Sequence, residues 1–447
     1  VVGAGASGVG VALMLTQTFG LAPERVLLLE RGEGVGETFR RWPKEMRFIS
    51  PSFNNQGWTN SFDLNSVAYG TSPAFTLHAE HPNGEQYARY LKALAEENGL
   101  RIRARTEVKD VQPKRLGGFN VSVVPASAAS GAKLETLRAR YVIWAAGEFQ
   151  YPRAKAPSAP SLFPGSELCL HNSSVRGWAE LPGNDFVVIG GYESGIDAAF
   201  NLSLNRKRCS VISPTAFWDL ATDDPSTELA PYTMERLRKA CATPNPPRLL
   251  SPLRVFKVEK EKKGGGYLVR ARWGHKPAKN EDEVLARYRE KLPASVLGKV
   301  SKEGTELTLR TPQAPVLCAG FGGGIALGVA KKLFKWGDEE DEIEEDEKQE
   351  GSGGCADASP LLNSQDESTK TPGLFLVGPA VRHGELSFCF VYKFRQRFGI
   401  VANAIAQGLG HDTTEAVEEC RKMNMFLDDF SCCKGACGET CKKEYAM

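Results

Sequence analysis

The chain has 447 residues and nearly balanced charge, with 56 Lys and Arg against 54 Asp and Glu, a net charge of +2. This length accommodates two or three domains, and the balanced charge argues against nucleic acid or a membrane surface as a bulk partner. No apolar run approaches the ~20 residues of a membrane span. The chain opens inside a predicted strand, so we expect residues before Val1, and those residues could include a targeting peptide.

The cysteines bear on the compartment. Five of the 11 cysteines lie after residue 419, which is unlike a disulfide framework spread through a secreted fold. A reducing, cytoplasmic compartment is therefore expected.

The opening segment, VVGAGASGVG, predicts a buried strand, a glycine turn and the start of a helix. Gly3 permits the tight turn, Gly5 lets a pyrophosphate approach the backbone, and Gly8 lets the helix pack closely on the strand. An apolar run over Val26–Leu29 ends in Glu30, an acid placed to accept hydrogen bonds from an adenosine ribose. The segment therefore predicts a dinucleotide-binding loop, against the alternative of an ordinary glycine-rich turn.

The next part of the chain completes a first domain. A charged amphipathic helix is predicted over about residues 85–97, followed by short strands up to residue 124. A buried strand over residues 141–147 ends in small residues. Five prolines between residues 152 and 182 then predict a linker.

The linker leads to a second copy of the opening motif, VVIGGYESGIDAA. Its residues Gly190, Tyr192 and Gly195 match the three glycines of the first motif, with Glu193 and Ser194 between them. Tyr192 puts a Cβ and a ring where a pyrophosphate would lie on the backbone, and this ring could stack on a cofactor or cover the site. Two such loops in one chain indicate two bound nucleotides, and the alternative is a decayed duplicate with structural value only.

Two later strands are predicted to return the chain to the first domain. The first covers residues 315–321, and the second, over residues 373–380, emerges into a loop before a helix over about residues 390–407. Ten acids among residues 338–350 lie between these strands and predict a solvated loop.

Together these features resemble flavin-containing monooxygenases and the related bacterial pyridine nucleotide–disulfide oxidoreductase-like proteins. The resemblance runs from Val1 to about Gly408 and includes the glycine loop, the acid Glu30 and the small residues that end the later strands. The family's late Gly-Asp motif is echoed by Gly378 and Pro379, with the Asp lost. The resemblance implies an α/β fold of two Rossmann-like dinucleotide-binding domains, the nicotinamide domain being inserted in a discontinuous FAD domain.

The predicted division of the chain follows from this arrangement. It consists of the first part of the FAD-binding domain at 1–152, a linker at 153–182, an NAD(P)-binding domain at 183–308, the second part of the FAD-binding domain at 309–410 with its acidic loop at 338–358, and a Cys-rich tail at 411–447.

The resemblance implies FAD in the first domain and NADP, or NAD, in the second. The predicted FAD-binding residues are Gly3, Gly5, Ala6, Ser7, Gly8, Glu30, Arg31, Trp42, Val108, Ala146, Gly147, Gly378 and Pro379. The predicted nicotinamide-binding residues are Gly190, Tyr192, Glu193, Ser194 and Gly195.

The type of nicotinamide nucleotide is indicated only weakly. The strand over Cys209–Ser213 has no acid at its end, which disfavours the ribose contact typical of NAD. The basic cluster Arg206–Arg208 precedes that strand, so we expect a solvated surface turn there. NADP is mildly preferred.

The resemblance implies that NAD(P)H reduces the flavin, with monooxygenation of a small organic substrate as the expected outcome. The alternatives are a reductase or oxidase acting on a thiol, a quinone or O₂, and a flavin-binding redox sensor with little turnover. Arg382 and His383 are the predicted catalytic residues because a cation near the ring would stabilise the reduced flavin. A structural hydrogen-bonding role is the alternative for His383. The oligomeric state is not determined by these features.

Cysteine and metal chemistry are limited to the tail. The nucleotide domain has no Cys-x-x-Cys, which argues against a dithiol relay beside the flavin, and the body of the chain has no compact metal motif. The tail holds four cysteines within ten residues, Cys432, Cys433, Cys437 and Cys441, with lysines nearby. It is predicted to be either a mobile segment with incidental thiols or a redox or metal-binding arm.

Overall fold

The structure is a computed structural model and describes residues 1–52, 62–129, 131–154, 161–221, 228–262, 264–274, 291–298, 306–337, 359–384 and 386–430. The acidic residues 338–358 and the four tail cysteines lie outside these ranges, so the predictions made for them stay predictions.

The helices and strands follow one another in an α/β order. The α-helices are α1 (Ala6–Leu13), α2 (Glu37–Arg40), α3 (Pro73–Leu77), α4 (Gly84–Glu97), α5 (Glu193–Leu204), α6 (Pro231–Cys241), α7 (Gly324–Leu327), α8 (Val391–Phe394), α9 (Phe398–Gly408) and α10 (Thr414–Lys422). The strands are β1 (Leu27–Leu29), β2 (Arg101–Arg103), β3 (Thr106–Pro113), β4 (Phe119–Pro125), β5 (Glu135–Ala139), β6 (Val142–Trp144), β7 (Tyr151–Pro152), β8 (Leu170–His171), β9 (Asp185–Ile189), β10 (Arg208–Ile212), β11 (Arg248–Leu250), β12 (Leu253–Lys260), β13 (Tyr267–Trp273), β14 (Glu306–Thr311), β15 (Val316–Leu317), β16 (Phe321–Gly322), β17 (Leu374–Leu376), β18 (Arg382–His383) and β19 (Leu386–Ser387).

The first sheet is parallel and holds the opening residues at its centre. Its order is β2, β1, Val2, β6 and β17, with Val2 bridging Leu29 on one side and Trp144 on the other. These runs are short and apolar because a parallel sheet is covered on both faces. α1 packs so closely on α9 that a Cβ on Gly10 would lie 2.2 Å from the Phe398 ring.

The second sheet is also parallel, in the order β11, β10, β9, β15 and β8. It is built from residues that lie between the segments of the first sheet, so the predicted fold class is confirmed. An antiparallel sheet of three strands accompanies each parallel sheet: β3, β4 and β5 in one case, β12, β13 and β14 in the other.

One strand lies in a different sheet from the predicted one. The segment over residues 315–321 is predicted to return the chain to the first domain, but β15 pairs with β9 and β8 in the second sheet. The predicted linker likewise supplies β8 to that sheet. Sequence alone cannot distinguish these memberships, because both parallel sheets accept short apolar strands that end in small residues.

The predicted helix over residues 390–407 is present with an interruption. α8 runs into a single 3₁₀ turn at Arg395–Arg397 and continues as α9. No helix in the described part of the chain is long and apolar enough to cross a bilayer.

Contacts join the part of the chain that contains the first parallel sheet to the part that contains the second. The Glu45 carboxylate accepts hydrogen bonds from the backbone N–H groups of Trp178 and Ala179, both at 3.1 Å. The His81 ring stacks on Tyr232 of α6 with 3.6 Å between ring centroids. The two connections between the halves pair with each other as β7 and β16. The second parallel sheet is therefore tied to the first by both its connections and its surface.

Candidate functional site

The opening glycine loop has a geometry that only glycine accepts at two positions. Gly3 has a φ of +101°, and a Cβ there would lie 2.5 Å from the carbonyl oxygen of Ala145. A Cβ on Gly8 would lie 2.1 Å from the carbonyl oxygen of Gly3. The first residue lets the chain turn against the neighbouring strand, and the second lets α1 approach the loop.

Gly5 differs from these two because it is surrounded by space. It is the N-cap of α1, with a φ of −83° and a ψ of −165°, and a Cβ there would meet no described atom within 4 Å. The first turn of α1 contains no acid. A helix N-terminus with unpaired N–H groups and open space before it is suited to an anion. The surroundings of Gly5 therefore fit a pyrophosphate.

Glu30 faces the same loop from the end of β1. Its Oε2 accepts a hydrogen bond from the Ala4 N–H at 2.9 Å, and its Oε1 accepts one from the Gly32 N–H at 2.6 Å. A carboxylate offers about four lone-pair sites, so two remain for hydroxyl donors. The predicted ribose acid thus lies beside the glycine loop, held in place by backbone donors.

The ends of two further strands meet the loop. Gly3 contacts the segment that follows β6, since a Cβ on Gly3 would lie 3.0 Å from the Cα of Ala146. Gly378 follows β17 with a φ of +105°, and a Cβ there would lie 2.5 Å from the Ser7 Oγ. Because all strands of the first sheet are parallel, their carboxyl ends share one edge. That edge brings together Gly3, Ser7, Ala146 and Gly378 as a single site.

The other predicted FAD-binding residues have ordinary surroundings. Trp42 packs on Phe39 and Phe48, with ring centroids 5.2 and 5.1 Å apart respectively. Val108 is half-buried in β3, and Arg31 is exposed directly after Glu30. Ala6 is buried in the first turn of α1, Gly147 has open space around its Cβ position, and Pro379 follows Gly378. Their roles in binding FAD stay predictions.

Arg40 is a candidate that sequence reasoning missed. Its Nη2 donates to the Val35 carbonyl, and the adjacent Gly36 N–H donates to the Ala4 carbonyl of the glycine loop at 2.9 Å. Its Nη1 is buried without a hydrogen-bond partner among the described residues, although Glu37 Oε2 lies 3.7 Å away. A guanidinium with an unused N–H donor, on a segment that bonds to the glycine loop, suits a phosphate. No fixed spacing from the motif could have identified it.

The second loop repeats the packing of the first. Gly190 has a φ of +105°, and a Cβ there would lie 2.4 Å from the Cys318 carbonyl oxygen. A Cβ on Gly195 would lie 1.9 Å from the carbonyl oxygen of Gly190. The strand, turn and helix therefore have the arrangement of a dinucleotide-binding unit.

The middle position of the second loop is filled by its own side chain. Tyr192 is the N-cap of α5, and its ring packs on Phe217 with 4.8 Å between centroids. The Tyr192 hydroxyl donates to the Glu228 carbonyl at 3.2 Å. Of the two roles considered for this ring, cofactor stacking and covering the site, these contacts favour covering.

The next residue adds a negative charge at the same helix end. Glu193 Oε1 accepts a hydrogen bond from the Ala230 N–H at 2.6 Å, and its Oε2 accepts one from the Thr233 hydroxyl. Burial raises the pKa of Glu193 above its ordinary value, against the lowering effect of these two hydrogen bonds. Ser194 is half-buried beside it. The second loop therefore does not fit a pyrophosphate placed as in the first.

The basic cluster before β10 is only partly the solvated turn that its sequence predicts. Lys207 is buried, and its Nζ donates to the carbonyl groups of Leu181 and Ala179, the latter at 3.3 Å. Arg208 is exposed and pairs with Asp185 at 2.9 Å. Lys207 thus binds the backbone of residues 179–181, and the basic residues on either side of it give no indication of this buried role.

The predicted catalytic pair lies in the β18–β19 hairpin. His383 Nε2 is 2.6 Å from Asp366 Oδ1. Arg397 donates two hydrogen bonds to the same carboxylate, from Nη2 to Oδ1 at 2.7 Å and from Nε to Oδ2 at 2.9 Å. Asp366 is fully buried, and Phe430 packs on the His383 ring with 5.1 Å between centroids. Arg382 pairs with Ser387 across the hairpin. These contacts give His383 a structural role, and catalysis by the pair stays a prediction.

Comparison with known proteins gives a consistent result. The family model described as pyridine nucleotide-disulphide oxidoreductase matches residues 1–292. An uncharacterized oxidoreductase, CzcO, from Bacillus velezensis is 25% identical over 213 residues, which are 46% of this chain and 52% of that protein. The match therefore spans about half the length of this curated relative.

Solved structures resemble the fold along most of the chain. Bacillithiol disulfide reductase from Bacillus cereus has a TM-score of 0.58 at 17% identity, covering 91% of this chain and 98% of that one. A flavin-containing monooxygenase from Stenotrophomonas maltophilia has a TM-score of 0.54 at 14% identity, covering 92% and 98% respectively. At these identities the likeness concerns the fold.

Proposed function

Because the chain belongs to the pyridine nucleotide-disulphide oxidoreductase family, we propose that it is an FAD-dependent oxidoreductase with FAD in its first domain. The observation that carries this proposal is the open space at Gly5 before the N-terminus of α1. The bound flavin would supply the redox chemistry, and the protein would supply position and electrostatics.

The residues of the first site have separable tasks in this proposal. The N-terminus of α1 holds the pyrophosphate, and Arg40 donates its unused Nη1–H to the same anion. Glu30 accepts hydrogen bonds from the ribose hydroxyls while its own backbone contacts keep it in place. Gly378, pressed against Ser7, brings the loop after β17 to the same cofactor.

Monooxygenation of a small organic substrate is the reaction we propose first. A reductase or oxidase acting on a thiol, a quinone or O₂ is the alternative. Burial raises the pKa of Cys209 and of Cys420 to about 12, so neither thiol is suited to exchange with a disulfide. These two buried thiols are therefore packing groups and not members of a thiol relay.

A reduced nicotinamide nucleotide, NADPH before NADH, is the proposed electron donor. The strand, turn and helix around Gly190 support it, and the ring of Tyr192 opposes it. The same ring supports a second candidate function, a flavin-binding redox sensor with little turnover.

One experiment separates these functions. The purified protein is mixed anaerobically with NADPH or NADH, with dithionite as a control reductant, while flavin absorbance is followed. Air is then admitted, and hydrogen peroxide is measured. Bleaching followed by delayed reoxidation without early peroxide supports a monooxygenase, and immediate peroxide supports an oxidase. Bleaching by dithionite alone supports the sensor, and the absence of any flavin contradicts the proposal.

A further inference from the structure

Gly5 and Tyr192 occupy equivalent positions in the two loops with the same backbone conformation. Gly5 has a φ of −83° and a ψ of −165°, and Tyr192 has a φ of −89° and a ψ of −165°. Both are the N-cap of the helix that follows. A Cβ therefore leaves the two backbones in the same direction relative to the helix. At Gly5 that direction leads into open space, and at Tyr192 it leads into a phenol ring.

The ring is fixed there by the rest of the chain. Tyr192 packs on Phe217 and donates to the Glu228 carbonyl, and its neighbour Glu193 binds Ala230 and Thr233. We call these six residues the Tyr192 clasp. Two consecutive residues at the N-terminus of α5 are thus held by the same stretch of chain at the start of α6.

The far side of the clasp is itself anchored. Arg236 of α6 makes a buried ion pair with Asp197 of α5 at 2.5 Å. Tyr232 of α6 stacks on His81 of the first domain with 3.6 Å between ring centroids. Because α6 is held on both sides, the contacts of Tyr192 and Glu193 are built into the fold.

The negative charge of Glu193 opposes binding of a nucleotide at the second loop, as the Tyr192 ring does. A helix N-terminus attracts anions, and in α5 the Glu193 carboxylate already lies in the first turn. A pyrophosphate brought to this end would meet that carboxylate at close range. α1, by comparison, has no acid in its first turn. The N-terminus of α1 is therefore open and has no acidic side chain in its first turn. The N-terminus of α5 is occupied by the side chains of Tyr192 and Glu193.

We propose that Tyr192 and Glu193 close the second dinucleotide loop from within, so that NADPH and NADH bind the native chain weakly and reduce its flavin slowly. The inference rests on the proposed FAD site only for its kinetic readout. Binding of the nucleotide can be measured without the flavin signal.

The test uses the full chain with its flavin and NADP⁺ as the probe, titrated by calorimetry. Tyr192→Gly is expected to bind NADP⁺ at least tenfold more tightly than the native chain and to be reduced faster by NADPH. Tyr192→Phe keeps the ring on Phe217 and is expected to bind within threefold of native. Tyr69→Ala is the matched control, since Tyr69 is an exposed tyrosine of the first domain.

A second variant guards against loss of folding in Tyr192→Gly. Glu193→Gln keeps the side-chain shape and removes the charge, and it is expected to tighten NADP⁺ binding at least threefold. Native binding as tight as that of Tyr192→Gly overturns the proposal, because the ring would then help to hold the nucleotide. No binding by any variant also overturns it, because the second loop would then not be a nucleotide site. Loss of FAD from the native chain would instead contradict the proposed function and leave the NADP⁺ titration interpretable.

Discussion

Replacing Gly5 with valine is expected to remove FAD from the protein and to leave its fold in place. The backbone at Gly5 has a negative φ, and a Cβ there meets no described atom within 4 Å. The second loop shows that a large side chain is accepted in this conformation, because Tyr192 occupies the equivalent N-cap. Valine is a poorer N-cap than glycine, so the free energy of unfolding should fall by about 1 kcal/mol.

The effect on FAD should be much larger. A valine side chain would occupy the space before α1 and would separate the pyrophosphate from the backbone N–H groups. Hydrogen bonds to a charged group contribute about 1.5–3 kcal/mol each, so the loss of two weakens binding by about 3–6 kcal/mol. That range corresponds to roughly a 10²- to 10⁴-fold weaker affinity.

The measurement is the ratio of flavin to protein absorbance after purification, followed by titration with FAD and by urea denaturation. Gly337→Val is the control, since Gly337 is exposed and, among the described residues, a Cβ there would meet only Leu361 at 3.7 Å. Stoichiometric FAD in Gly5→Val, or an affinity within threefold of native, would refute the assignment of this loop. Unfolding of Gly5→Val would refute the claim that the space is open.

Two substitutions and one cysteine-labelling experiment test other parts of the structure. Glu30→Ala removes two hydrogen-bond acceptors from the glycine loop and should weaken FAD binding at least tenfold and lower the free energy of unfolding by about 1–3 kcal/mol; an unchanged flavin titration would contradict the ribose role. Asp366→Ala leaves Arg397 buried without its carboxylate and should lower the free energy of unfolding by about 3–5 kcal/mol in urea; a loss below about 1 kcal/mol would show that the pair contributes little. At pH 8 a pKa of about 12 leaves only ~10⁻⁴ of Cys209 and Cys420 as thiolate. Alkylation of these two cysteines should therefore be at least 100-fold slower in native than in unfolded protein, and it should accelerate as the pH rises. Equal labelling of their peptides in native and unfolded protein, measured by mass spectrometry, would contradict this burial effect.

The glycine loops show how much of the site is local. The proximity of Gly3, Gly8 and Glu30 can be predicted from the sequence because a strand, a tight turn and a helix lie within ten residues of each other, and the acid ends the next strand. The repeat of this motif in mid-chain likewise predicts a second dinucleotide-type unit, and the family resemblance implies that this unit is inserted in the first. Local patterns also predict α4, whose apolar face is buried.

Other assignments depend on partners far away in the chain. β15 resembles any short buried strand, and only its pairing with β9 and β8 puts it in the second sheet. The sequence around His383 leaves a catalytic role and a structural hydrogen-bonding role both open. Asp366 and Arg397, which lie 17 and 14 residues away along the chain, hold His383 in a buried network.

The sequence by itself determined that the chain has two dinucleotide-type loops and that the second carries a tyrosine where the first has glycine. Only the tertiary structure decided where that tyrosine ring goes, because its contacts, Phe217 and the Glu228 carbonyl, are 25 and 36 residues further along the chain. A backbone conformation follows from a few neighbouring residues, and so it can be predicted from a short motif. The packing partners of a side chain depend on which distant segments fold against it, and a local sequence pattern does not predict those partners.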